Sequence, residues 1–232
     1  MHELYLLAVS AFSLGLIHTL LGPDHYLPFI VLSKARQWSW NKTMWITFIS
    51  GIGHVGSSII IGIIGIVLGI SLTRLQHIEA FRGEIAGWML FAFGIFYTIY
   101  GIYKYLKSGH HRHLPAFLLP KKIRGIQHLP TEDQKADNVK LTPWILFLIF
   151  VFGPCEVLIP LFIYTAYQHS AFGTFIVALL FSIATIATML FTVYVGQKGT
   201  RLLRFKKMER YVHLLAGLVL LISGGGILFL GW

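Results

Sequence analysis

His18, Asp24 and His25 occur together in the apolar stretch LGLIHTLLGPDHYLPFIVL, whose flanks are long enough to carry the cluster to the middle of a membrane span. A charge at that depth costs roughly 2.5–3.5 kcal/mol on insertion scales, so an ionisable group there is read as functional by default. Two imidazoles and a carboxylate form a donor set for a borderline divalent ion such as nickel, cobalt or zinc. His54, in ISGIGHVGSS, is a fourth metal donor, set among small residues that let neighbouring helices approach closely. Half a chain later, FGPCEVLIP supplies Cys155 and Glu156 as a candidate second site, with Thr185 in SIATIATM at the position that corresponds to His54. Plainer readings stand beside these. His18 or His54 can be a packing histidine, Glu156 a carboxylate that stabilises a half-helix amino terminus, and Cys155 a small packing residue before it is a ligand.

Such groups need a broken helix to bring them together. Eighteen and 25 are about 10 Å apart along a continuous helix axis at 1.5 Å per residue, too far to share an ion. Pro23 lacks an amide hydrogen and clashes with the carbonyl of Thr19, and Gly22 can take the left-handed conformation that ends a helix. The helix is therefore predicted to stop near Leu21 and restart at Pro23. Gly153 and Pro154 predict the same break in the second half.

The rest of the chain is membrane material. It has 232 residues, 56% hydrophobic and 12% charged, with one cysteine and a net charge of +10; its mean hydropathy is +0.71. Six apolar segments of spanning length are predicted at about 4–33, 43–70, 83–106, 142–166, 171–195 and 211–231, since a span needs roughly 20 residues. The basic charge follows the membrane, which argues against a nucleic-acid partner. The segments between spans 1–2, 3–4 and 5–6, with Lys104 at the adjoining end of span 3, hold 17 of the 19 Lys and Arg, leaving Arg74 and Arg82 on the other face. The positive-inside rule then places both termini outside a cell membrane. The first segment reads as a retained helix, because MHELYLLAVS lacks the basic region of a secretory signal.

The two halves resemble each other. LGPDHYLPFIVLSKA aligns with FGPCEVLIPLFIYTA at an offset of 131, placing Asp24 on Cys155 and His25 on Glu156, and spans 3 and 6 align at 130 through Gly94 on Gly224. Each half has three spans, so the second enters from the opposite face, giving an inverted repeat with broken helices 1 and 4 and a site at the midplane. The expected fold is all-α, with residues 1–106 as the first three-helix repeat, 107–141 as a cytoplasmic loop, and 142–232 as the second repeat. The loop opens with GHHRH, so that His110, His111 and His113 form a candidate metal-capture tract.

H-x5-D-H followed by a second-helix S/G-x-x-H resembles the NicO nickel/cobalt transporters and the urease-accessory H-type membrane proteins of the LysE-like superfamily. The resemblance implies that His18, Asp24, His25 and His54 recognise metal. The resulting expectation is a secondary transporter rather than an enzyme, moving a divalent transition-metal ion by alternating access, with Glu156 compensating charge. No resident cofactor is expected; the partners are the bilayer and the ion, and homo-oligomerisation is left open. GPCEVLIP departs from that group and resembles motifs of sulfite exporters and disulfide-reductant conductors. The alternatives are an exporter of sulfite or another small anion, a thiol/disulfide electron conductor, which needs two cysteines in one membrane core, and a membrane assembly factor for a metalloenzyme.

Overall fold

A computed structural model describes residues 2–108, 141–168, 171–202 and 211–230. The His110, His111 and His113 tract lies outside the described residues. Those described are helical apart from short connections: α1 (His2–Leu21), a 3-10 turn (Pro23–His25), α2 (Leu27–Ala35), α3 (Trp40–Val67), α4 (Leu72–Ser108), α5 (Leu141–Phe152), α6 (Leu158–Gln168), α7 (Ala171–Leu202) and α8 (Val212–Leu230). Five of them, α1, α3, α4, α7 and α8, are long and apolar enough to cross a bilayer. The segment predicted as a broken fourth span is two short helices, α5 and α6, separated at 153–157. Trp45, Phe96, Phe175, Phe191 and Phe229 are all more than half exposed on the bundle's outside, as lipid-facing side chains are. The chain is a multi-pass membrane protein.

Lipid tails are as apolar as leucine, so burying apolar surface does not drive helices together in a bilayer; small residues and close packing do. The helix pairs follow this rule. Helix α1 buries only Ala11, Gly15 and Thr19, one residue per turn, and lays that stripe on α7. Helix α3 packs on α5, and α4 runs along α8 over much of its length. In the last pair, glycines aligned by the repeat meet the partner's backbone. A Cβ on Gly94 would lie 2.5 Å from the Leu221 nitrogen, and one on Gly224 would lie 2.5 Å from that of Phe91. Backbone cannot yield as a side-chain tip can, so Gly224→Leu should destabilise the bundle by about 1–3 kcal/mol or more. Thermal unfolding in detergent measures this, with exposed Ile222→Leu as the unchanged control.

The predicted third span began at residue 83, whereas α4 begins at Leu72. Arg82, assigned by the sequence to a loop outside the membrane, therefore lies within a helix and is buried. An ion pair with Glu79, one helical turn earlier, makes that burial tolerable.

Candidate functional site

At the first break the backbone does what proline dictates. The Gly22 amide donates to the His18 carbonyl at 3.0 Å, and the chain then tightens into one 3-10 turn, with the His25 amide on the Gly22 carbonyl at 3.1 Å. The helix resumes at Leu27. Gly22 is not left-handed as expected; its φ is −89° and its ψ 93°. Glycine is required there for a different reason: a Cβ would sit 2.5 Å from Nδ1 of His25. The imidazole folds back over the break, and only glycine leaves room.

That fold-back gathers the rings. The His18 and His25 centroids are 4.8 Å apart, and those of His25 and His54 are 5.0 Å apart, each pair edge to face. Nδ1 of His25 lies 3.2 Å from the Gly22 carbonyl oxygen and 3.3 Å from Oδ1 of Asp24. The Gly22 carbonyl can only accept, so Nδ1 carries the proton and Nε2 presents its lone pair when the ring is neutral; Oδ1 of Asp24 makes a charge contact without a hydrogen bond. Asp24 thus holds that ring by charge, while the Gly22 carbonyl fixes its tautomer. Among the described residues, Nε2 of His18, Nε2 of His25 and both ring nitrogens of His54 have no hydrogen-bond partner. Unsatisfied buried nitrogens are costly, and these four, on three neighbouring rings that line one cavity, mark a site for an electron-pair acceptor.

The second break arrives at the same place. Helix α5 ends where the Gly153 amide donates to the Ile149 carbonyl at 2.8 Å. The Pro154 ring then packs on Gly83 of α4, where a Cβ would be 2.8 Å away. A broken helix inside a bilayer leaves polar backbone that the protein must satisfy. Glu79 and Arg82 do so here. The Cys155 amide donates to Oε2 of Glu79 at 3.1 Å and to Oγ of Ser58 at 3.2 Å. Arg82 donates to the Val151 carbonyl at 2.7 Å and to Oγ of Ser57, also at 2.7 Å. Sequence reasoning missed both residues. Their signal was the opposite-charge pair at i,i+3 in HIEAFRGE, one turn apart on a face that continues directly into an apolar span.

Held in this way, Cys155 is fully buried. Its Sγ and one ring nitrogen each of His18 and His54 lie within 4.8 Å of one another. Glu156 is exposed and, with His18, Asp24, His25, His54 and Pro154, lines a cavity of about 840 Å³. Both breaks and His54 therefore share one cavity. Thr185 does not line it; it is buried against α1, with Oγ1 3.2 Å from where a Gly15 Cβ would be.

The chain matches the family model described as the cytochrome c biogenesis protein transmembrane region over residues 9–226, from within α1 to within α8. No curated protein matches the chain, nor does any solved structure. The family match overturns the resemblance to nickel/cobalt transporters and the urease-accessory group, and with it the expected transport of a divalent metal ion. That resemblance rested on about ten residues. The geometry explains why they misled: Asp24 beside a Gly-Pro break serves to hold the His25 ring, and a buried, oriented imidazole specifies no cargo. The chain belongs to the family of the cytochrome c biogenesis protein transmembrane region.

Proposed function

We propose that this protein acts in the maturation of c-type cytochromes or of the redox proteins allied to them, as a membrane assembly factor that works through the imidazole–thiol centre between its two helix breaks. The observation that carries this reading is the meeting of His18, His25 and His54, with unpartnered ring nitrogens, at a cavity reached by both breaks. Three imidazoles in a bilayer-embedded cavity suit a metal-bearing group awaiting transfer to a partner. The family also suggests thiol/disulfide electron conduction. An internal relay requires a cysteine pair, and these 232 residues contain Cys155 alone. Exchange with a partner's disulfide favours an accessible thiol, whereas Cys155 is fully buried. An anion cargo is disfavoured because Asp24 and Glu156 both line the cavity.

We also propose that the two halves are inverted repeats with both termini outside. The pairing of elements supports this. Exchanging the halves turns the α1–α7 contact into that of α5 and α6 with α3, and leaves α4–α8 paired with itself; each of these contacts is present. A cysteine placed in the 107–141 loop of a Cys155→Ser background should resist an impermeant thiol reagent in intact cells. Ready labelling would reverse the orientation.

The function is tested by deleting the gene in its native host and staining membranes for covalently bound haem. The expected result is a loss of c-type cytochromes that the wild-type gene restores. Unchanged haem staining under respiratory growth would overturn the assembly reading.

A further inference from the structure

We infer that His18, His54 and Cys155 form a three-coordinate site for a soft monovalent ion, Cu(I). The inference deepens the assembly reading by naming the ion, and rests on that reading only for its biological meaning.

The donors come from three separate places. His18 is in the last turn of α1, His54 is in the middle of α3, and Cys155 is at the second break. Their ligand atoms lie within 4.8 Å of one another. An ion bonded to imidazole at about 2.0 Å and to thiolate at about 2.3 Å holds the two donors about 3.7 Å apart in a trigonal three-coordinate site. From 4.8 Å, closing the widest pair of this set takes a shift of about 1 Å, within the reach of side-chain torsions. The cysteine does not stand alone. His54 is only 3% exposed, and neither of its ring nitrogens has a hydrogen-bond partner among the described residues.

The donor set selects the ion. A thiolate favours Cu(I), zinc or iron–sulfur chemistry over nickel and cobalt. Zinc in a closed protein site takes four ligands, whereas three donors complete the coordination of Cu(I). Charge points the same way: binding releases the thiol proton, and one thiolate with one monovalent cation is neutral, the least costly state in a medium that penalises charge. Glu79 and Arg82 are positioning residues in this account, since Glu79 accepts the Cys155 amide and so fixes where the thiol points.

The test is competition under anaerobic conditions between purified protein in detergent and the coloured bis-bicinchoninate complex of Cu(I). Wild type should bleach the complex to one equivalent per chain. Cys155→Ser and His54→Gln should each weaken binding by at least tenfold, with unchanged helicity and elution volume. Copper-edge absorption of the wild-type complex should show one sulfur and two nitrogens. No bleaching by wild type, equal bleaching by Cys155→Ser, or equal affinity for zinc against a zinc indicator would each overturn the site. A wild type that takes no Cu(I) while its gene still restores cytochromes would remove this inference and leave the assembly reading in place.

Discussion

Arg82→Met is expected to cost about 3–5 kcal/mol of stability, the range for breaking one partner of a buried ion pair. Glu79 is 1% exposed. Removing the guanidinium leaves its carboxylate in the bundle with only the Ser58 hydroxyl and the Cys155 amide to satisfy it. It also frees the Val151 carbonyl, which has already lost helical partners at the break. Glu79→Gln alone should cost less, because an amide oxygen still accepts from Cys155 and no negative charge remains. The double variant Arg82→Met/Glu79→Gln should recover more than half of the loss, since the uncompensated charge is gone. Thermal unfolding in one detergent measures all three. Additive effects in the double variant would mean that the pair is not a unit.

The second large effect is functional. His54→Gln keeps the side chain's volume near that of the imidazole and removes the one donor supplied by α3. Cytochrome assembly should fall at least tenfold while protein level and unfolding midpoint stay near wild type. Asp24→Asn should do less, because it leaves every imidazole in place and removes only the charge beside His25. Trp45→Ala, on the lipid face, should change neither quantity. An Asp24→Asn effect larger than that of His54→Gln would mean that the carboxylate itself holds the transferred group.

The helices and the first break were legible because their causes are local. Apolar run length marks a span, and Gly22–Pro23 interrupts a helix whatever surrounds it. The convergence of His18, Asp24, His25 and His54 was legible for the same reason, as ionisable groups at mid-depth have few structural uses. Glu79 and Arg82 were missed because their role exists only in three dimensions: they satisfy the backbone of a break some 70 residues away, and no window of sequence contains both. Cys155 was ranked as packing because a lone cysteine within a membrane span is a small side chain with no second thiol to pair with; its neighbours in space include His18 and His54. The reason for Gly22 was hidden for a related cause, since it is His25's ring, not the glycine's own torsion, that excludes a side chain. The cargo was misjudged because an oriented imidazole is a shared device of many membrane sites.

The central claim is that this imidazole–thiol centre carries the assembly activity. It is tested most directly by reduced-minus-oxidised spectra of c-type cytochromes in membranes of the deletion strain carrying wild type, His18→Gln, His54→Gln or Cys155→Ser at matched protein levels. The account predicts full cytochrome content with wild type and a loss of at least tenfold with each variant. Wild-type content in all three variants would contradict it.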